Sequence, residues 1–144
     1  MKSRFRSGLE RGIADHLSEL GESFEYETVH VPYILHGRSR FYIPDFILSD
    51  TGIVIEAKGR FDAEDRGKHL AVKARHPDLD IRFVFSDAQK AIRHRSPATY
   101  ADWCSRAGIA FADKAIPDSW LEEPPNAPSM AALEALMACQ AEAA

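Results

Sequence analysis

The chain has 144 residues, of which 45% are hydrophobic, and this is enough for one domain with a buried core. It contains no apolar run of the roughly 18 residues that cross a membrane, and residues 1–8 lack the apolar segment of a secretory signal. The two cysteines and six histidines fit none of the usual zinc-binding spacings. We therefore expect a cytoplasmic protein that has no membrane partner and binds no zinc.

Charge is distributed unevenly along the chain. The net charge is −4, but residues 1–116 hold all 18 basic residues and 17 of the 22 acidic ones, so that part carries +1 and the remainder −5. Phosphate binding requires local positive surface, whereas any single basic cluster is most simply a solvated face. Basic residues form three clusters along this chain. They are Lys2, Arg4, Arg6 and Arg11; Lys58, Arg60, Arg66, Lys68, Lys73 and Arg75; and Arg82, Lys90, Arg93, His94 and Arg95.

The first predicted element is an amphipathic helix over residues 7–21. Leu9, Ile13, Leu17 and Leu20 recur at helical spacing, and Gly21 suits the end of the helix. Ser7 and Glu10 have the spacing of a capping box, in which the Glu10 carboxylate would accept from the Ser7 amide. Capping is a purely structural explanation for Glu10.

Strands and helices alternate through the rest of the chain. We predict strands over residues 24–35, 40–48, 52–58, 81–85 and 109–111, and helices over residues 62–76 and 98–108. Pro32 disfavours a central position for the first strand. This succession of strands and helices is typical of an α/β protein.

The C-terminal part differs in composition. Residues 117–128 are rich in proline and acidic side chains, which is typical of a linker, and residues 130–142 have the apolar spacing of a short helix. We predict a main domain at 1–116 and a linker with a short helix or tail at 117–144.

Two apolar strands carry Asp45, Glu56 and Lys58. Side chains two residues apart on a strand share a face, so Val54, Glu56 and Lys58 should point one way and Ile53 the other. Burying such charges is costly unless a partner offsets the cost, and a divalent cation held by Asp45 and Glu56 would do so. The simpler alternative is a hairpin with a surface Glu–Lys pair.

Pro44-Asp45 followed by Glu56-Ala57-Lys58 is the spacing of the PD-(D/E)-x-K nucleases. Beyond this motif, the chain resembles the phage endonuclease I family, enzymes that resolve four-way (Holliday) DNA junctions. The resemblance is collinear over about residues 5–123. Matching stretches are residues 5–10, 24–27, 31–33, 44–46, 56–59, 68–70, 76–86, 96–104 and 108–117.

The resemblance implies a restriction-endonuclease-like α/β fold with a mixed central sheet flanked by helices. It also implies a need for Mg²⁺ or Mn²⁺, one or two ions per active site, and a homodimer that cleaves branched DNA. It also implies a domain-swapped dimer, in which Glu10 comes from one chain and the remaining catalytic residues from the other, with a long strand between them. A phage or prophage gene that serves replication and DNA recombination is expected by analogy.

The resemblance assigns four catalytic residues, Glu10, Asp45, Glu56 and Lys58. Asp45 would be the central metal ligand, with Glu56 and the backbone carbonyl of Ala57 beside it, and Glu10 would complete a second metal position. All-oxygen ligands suit Mg²⁺ or Mn²⁺. Lys58 would orient the attacking water or hold charge on the phosphoryl oxygens.

Candidate DNA contacts are Arg4, Arg6, Lys68, His69 and Lys73. The acidic tail departs from the family, whose typical member ends in a basic segment, so the resemblance does not carry over any DNA contact made by that segment.

Three alternatives remain open from the sequence. The first is a general, mismatch or restriction-type endonuclease with the same core, which substrate preference would distinguish. The second is an inactive DNA- or junction-binding module, although the intact Asp45, Glu56 and Lys58 argue against it. The third is a soluble α/β binding protein with a surface hairpin.

Overall fold

A computed structural model describes residues 5–143, which form a mixed sheet with helices on both faces. The strands are β1 (Phe24–Tyr26), β2 (Val31–Leu35), β3 (Arg38–Tyr42), β4 (Phe46–Leu48), β5 (Ile53–Lys58), β6 (Asp80–Phe85) and β7 (Phe111–Asp113). The helices are α1 (Gly8–Glu19), α2 (Ala63–Arg75), α3 (Tyr100–Ala107), α4 (Asp118–Leu121) and α5 (Ala127–Ala143). The predicted α/β class and mixed central sheet are confirmed. No helix within residues 5–143 is long and apolar enough to cross a membrane.

The main sheet has five strands in the order β1-β4-β5-β6-β7. The β1–β4 and β4–β5 pairs are antiparallel, and the β5–β6 and β6–β7 pairs are parallel. The carboxyl ends of β5, β6 and β7 therefore lie at one edge, with Lys58 beside Phe85 and Phe85 beside Asp113. Ligands of open α/β sheets bind at such an edge, which makes it the first place to look for a site.

Each face of the sheet packs against its own helices. Ile53 and Ile55 of β5 pack with Ile13 and Leu17 of α1, whereas Val54 packs on the opposite face. The opposite face includes Val72 of α2 and Leu133 of α5. The alternation predicted for this strand is confirmed, and Glu56 lies on the same side as Val54 and α2.

The single strand predicted over residues 24–35 is wrong. β1 pairs with β4 in the main sheet, whereas β2 pairs with β3 in a separate two-stranded sheet. The chain bends between them at Glu27, which has a positive φ of 53° and donates its amide to the Asp45 carbonyl at 3.0 Å. Pro32 lies in β2, a strand with one neighbour, where a missing donor is tolerated.

The other predicted elements are present with shifted ends. The strand predicted over residues 40–48 is interrupted: Tyr42 ends β3, and Phe46 begins β4 after Pro44. The last strand begins at Phe111 rather than at Ile109. Asp62 and Thr99 cap α2 and α3 with reciprocal capping boxes, so these helices begin at Ala63 and Tyr100, one and two residues after the predicted starts.

Residues 117–128 are packed against the sheet, although their composition is typical of a linker. The guanidinium of Arg82 on β6 bonds to the carboxylates of Asp80 and Glu123 and lies 5.1 Å from the centre of the Trp120 ring. Asn126 donates to Asp80 at 3.2 Å. Arg82, counted above in a basic cluster, is therefore an internal ion-pair residue. The division of the chain at residue 116 stays a prediction.

The β4–β5 turn holds α5 through Gly52. Its carbonyl accepts from the Ser129 hydroxyl at 2.7 Å, and its φ is +80°. A Cβ at this position would lie 2.6 Å from Met130 Cγ and 3.2 Å from the Met130 nitrogen. Glycine is therefore required here both by the backbone conformation and by the close approach of α5.

Gly52→Ala should destabilise the protein by about 1–3 kcal/mol, because the new Cβ is strained by the positive φ and displaces Met130. Urea unfolding followed by circular dichroism measures this change. Gly12→Ala is the control, since Gly12 lies in α1 with nothing within 4 Å of a new Cβ. The control should be neutral or stabilising by up to about 1 kcal/mol, and equal losses in both variants would contradict the packing of α5 on this turn.

Candidate active site

A cleft of about 440 Å³ lies at the carboxyl end of β5. All four residues predicted as catalytic line it: Glu10, Asp45, Glu56 and Lys58. Ala57 lines it as well, and so do Arg6 and Lys68, two of the predicted DNA contacts. The structure thus brings together residues that are as many as 62 positions apart in the chain, counted from Arg6 to Lys68.

Asp45 lies at the centre of this cleft. Its Oδ2 accepts from the Ala57 amide at 2.8 Å, which fixes the carboxylate against β5. Burial, followed by the neighbouring charge of Glu56, raises the pKa of Asp45 from 3.8 to about 9. A raised pKa shows that a negative charge at this position is unfavourable without a cation, as expected where carboxylates meet in a buried place.

Glu10 reaches the cleft from the first turn of α1. Ser7 accepts from the Glu10 amide at 3.1 Å and so caps the helix as predicted. The Glu10 carboxylate does not complete the capping box; it accepts from the Tyr26 hydroxyl at 3.1 Å and is only 5% exposed. Glu10 therefore has two separate contacts: its amide donates to the capping residue Ser7, and its buried carboxylate lies in the cleft.

Sequence reasoning gave no role to Glu27. One carboxylate oxygen each from Glu10, Glu27 and Asp45 lie within 4.8 Å of one another. Arg6 forms an ion pair with Glu27 at 3.0 Å. Glu27 reaches this position only because the chain bends between β1 and β2, and a strand pattern gives no signal for such a bend.

Glu56 lies deeper than the other carboxylates. It is 4% exposed, and its Oε1 has no hydrogen-bond partner among the described residues. Its other oxygen is 3.7 Å from both Lys58 Nζ and His69 Nε2. Burial acts to raise the pKa of Glu56, but His69 and Lys58 outweigh it and the pKa is lowered, so this carboxylate is ionised.

The prediction that His69 contacts DNA is wrong, because its side chain is only 1% exposed. The ring packs edge-on against Tyr42 and Phe83, with centroids 4.9 and 4.7 Å away. Burial lowers the pKa of His69, so the imidazole is neutral near pH 7. Its charged neighbours in sequence are typical of a surface helix, but His69 lies on the buried stripe of α2 with Val72.

Lys58 is held between two carboxylates. Its Nζ donates to Asp65 at 3.2 Å and lies 3.7 Å from Glu56. Burial acts to lower the pKa of Lys58, but Glu56 and Asp65 outweigh it and raise the pKa above its usual value. The side chain is therefore a fixed cation. It can stabilise negative charge on a bound phosphate, but it is a poor proton acceptor.

The remaining predicted DNA contacts lie in different places. Lys68 lies beside the cleft, with its Nζ 5.0 Å above the Tyr42 ring. Lys73 lies one turn further along α2 and donates to the Gly108 carbonyl at 3.3 Å, away from the residues that line the cleft. Arg4 lies outside the described residues.

The donor set fits a hard divalent cation. Asp45, Glu56, Glu10 and Glu27 offer only oxygen ligands, and Mg²⁺ and Mn²⁺ prefer oxygen. The buried Glu56 Oε1 without a donor and the raised pKa of Asp45 both indicate negative charge that a cation would balance. The Ala57 carbonyl, the other predicted ligand, belongs to the residue whose amide donates to Asp45.

The chain matches known proteins over nearly all of its length. The Phage endonuclease I family matches residues 1–139. "Endonuclease I" of Escherichia phage T7 is 45% identical over 120 residues, which is 83% of this chain and 80% of that protein. "Endodeoxyribonuclease 1" of Enterobacteria phage T3 is also 45% identical over 120 residues, 83% of this chain and 78% of that protein.

Asp45→Asn should stabilise the protein when no metal is present. A carboxyl whose pKa rises from 3.8 to about 9 on folding binds more protons in the folded state, so stability falls as pH rises through that interval. The amide cannot ionise and can still accept from Ala57. At pH 8 in EDTA we expect a melting temperature higher by about 2–4 °C or more, the shift that about 1 kcal/mol gives a chain near this length.

Differential scanning calorimetry between pH 5 and pH 9 measures this effect. Asp50→Asn, at an exposed turn position, is the control and should change little. A lower melting temperature for Asp45→Asn at pH 8 would contradict the unfavourable buried charge described for Asp45.

Proposed function

Because the chain belongs to the phage endonuclease I family, we propose that it is a metal-dependent endodeoxyribonuclease. Its substrates are four-way and other branched DNA junctions, which it resolves by paired phosphodiester hydrolysis. The observation that carries this proposal is the convergence of Glu10, Asp45, Glu56 and Lys58 in one cleft at the carboxyl end of β5. The names of the phage T7 and T3 relatives support the nuclease activity, and the junction substrate follows the family resemblance.

The metal proposed for this site is Mg²⁺ or Mn²⁺, one or two ions per active site. Asp45, Glu56 and the Ala57 carbonyl would hold the first ion, and Glu10 with Asp45 would hold the second, with Glu27 beside it. Divalent ions at such a site lower the pKa of bound water and neutralise charge on the phosphate. Asp45 would contribute to both positions, since its carboxylate lies near those of Glu10 and Glu56.

The protein's own groups orient and hold the substrate. Lys58 remains protonated between Glu56 and Asp65, so its proposed role is to hold negative charge on the phosphoryl oxygens while water attacks. Asp65 holds the ammonium in position through its hydrogen bond. Arg6 and Lys68, at the rim of the cleft, are proposed contacts for the phosphates on either side of the cleaved bond.

We further propose that the protein acts as a homodimer, since two symmetric cuts require two active sites related by a two-fold axis. The β2–β3 sheet and the residue that follows β3 expose apolar side chains that suit a partner chain. Ile34 is 53% exposed, Phe41 68% and Ile43 41%. An exchange of α1 between chains would make the Glu10–Asp45 contact between protomers, with the bend at Glu27 opened into a longer strand.

Lys58→Ala should abolish cleavage of a labelled four-way junction in Mg²⁺ while leaving junction binding intact, because the variant loses the cation at the phosphate. The parent protein should cut the junction in pairs and leave the matching linear duplex intact, and EDTA should stop cleavage. Arg75→Ala, at the far end of α2, is the control and should cut at the parent rate. If the parent protein cuts both DNAs equally, the result would favour a general endonuclease. If it binds the junction without cutting it, the result would favour an inactive binding module.

Mixed dimers test whether the chains exchange α1. Glu10→Ala and Asp45→Ala should each be inactive alone. In an exchanged dimer built from one chain of each, one site carries both substitutions and the other carries neither, so junctions should be nicked once. Without exchange each site carries one substitution, and no nicking should occur.

The control for the mixed dimer pairs Asp45→Ala with Glu56→Ala. Both residues lie on the same hairpin, so each site of the mixed dimer is defective in either arrangement. Co-refolded chains with two different affinity tags give the mixed dimer, and a denaturing gel of the labelled junction detects the nick. Nicking by this control pair would show that the tagged chains carry contaminating parent protein.

A further inference from the structure

A second positively charged surface lies beside the catalytic cleft. It is a recess of about 470 Å³, and we call it the basic recess. Its basic side chains are Arg60, Lys90, Arg93, His94 and Arg95, and Asp62 is its one acidic lining residue. Apart from Arg60, these basic residues belong to the long connection between β6 and α3.

The topology of the sheet places this recess at the same edge as the catalytic cleft. β5 and β6 are parallel, so Lys58 at the end of β5 lies beside Phe85 at the end of β6. The Ser86 amide donates to the Lys58 carbonyl at 3.0 Å, and the β6–α3 connection begins there. Arg60 is two residues beyond Lys58, so the recess continues directly from the cleft.

The connection that forms the recess is fixed on both sides. Arg66 of α2 donates through Nη1 to the carbonyls of Phe61 and Ile92, at 2.8 and 3.2 Å. The Ile92 amide donates to the Ala98 carbonyl at 3.0 Å, which closes the segment into a loop. The basic side chains are thus carried by an anchored backbone, which reduces the entropy lost when a ligand binds.

The positive charge of the recess is not neutralised by ion pairs. Among residues 5–143, no ion pair involves Arg60, Lys90, Arg93 or Arg95. Arg82, in contrast, is bonded to two carboxylates. In a chain with a net charge of −4, an unpaired basic group beside the active site is positioned to attract a polyanion.

We infer that the basic recess binds the sugar–phosphate backbone of a DNA arm next to the strand that is cut. The inference rests on the proposed function and adds the place where the enzyme holds its substrate beyond the scissile phosphate. Contacts of this kind position the DNA without reading base sequence, as recognition of a branched shape requires.

The test compares two double variants that each remove two positive charges. Arg93→Ala/Arg95→Ala alters the recess. Arg75→Ala/Arg106→Ala alters exposed arginines in the last turns of α2 and α3, at the opposite edge of the sheet. Binding of a fluorescent four-way junction is measured in EDTA between 50 and 200 mM salt, with melting temperatures and Mn²⁺ binding as checks on the fold and the cleft.

The recess variant should bind the junction about tenfold more weakly, and the slope of log affinity against log salt should fall by about one to two, as expected when one or two phosphate contacts are lost. Mn²⁺ binding should remain at parent level. The control pair should change the affinity less than about twofold.

An unchanged affinity in the recess variant, or equal losses in both variants, would overturn the inference. These outcomes differ from failure of the proposed function. If the parent protein binds junctions but does not cut them, and the recess variant binds more weakly, the inference stands and the nuclease proposal fails. If the parent protein binds no DNA, both are overturned.

Discussion

The crowding of carboxylates at the end of β5 is the constraint on which the rest of the structure depends. Glu10, Asp45 and Glu56 are partly or fully withdrawn from water, and burial, followed by the charge of Glu56, raises the pKa of Asp45. Such an arrangement costs folding free energy, and the surrounding packing has to offset it. Few features other than a functional cation would maintain this cost, since apolar residues of similar size would give a more stable strand.

Packing on both faces of the sheet offsets the free energy that the buried carboxylates cost. α1 packs through Ile13 and Leu17 and thereby carries Glu10 to the cleft. On the other face, α2 places His69 against Glu56 and Asp65 against Lys58. The C-terminal residues that resemble a linker pack against the sheet, where the Glu123 carboxylate accepts from Arg82. The acidic character of the tail therefore has a structural role here, since Glu123 is a partner of an internal arginine.

Local patterns predicted the parts of the fold that depend on local physics. The two-residue alternation of β5 correctly placed Val54 and Glu56 on one face. The predictions that failed concern features that depend on contacts between residues far apart in the sequence. The bend at Glu27 follows from its bond to the Asp45 carbonyl. His69 is surrounded by charged residues in sequence, but the rings of Tyr42 and Phe83 bury it. Arg82 resembled a surface base because its partner Glu123 lies 41 residues away.

A calorimetric titration of the metal-free protein with Mn²⁺, in two buffers that differ in ionisation enthalpy, would show whether the carboxylates at the end of β5 bind a cation, for the parent chain and for Glu56→Gln. We expect the parent to bind Mn²⁺ and to release protons as it does so, and Glu56→Gln to bind at least about tenfold more weakly. Binding that is equal in both proteins, or no binding by the folded parent, would contradict the assignment of this cluster as a cation site.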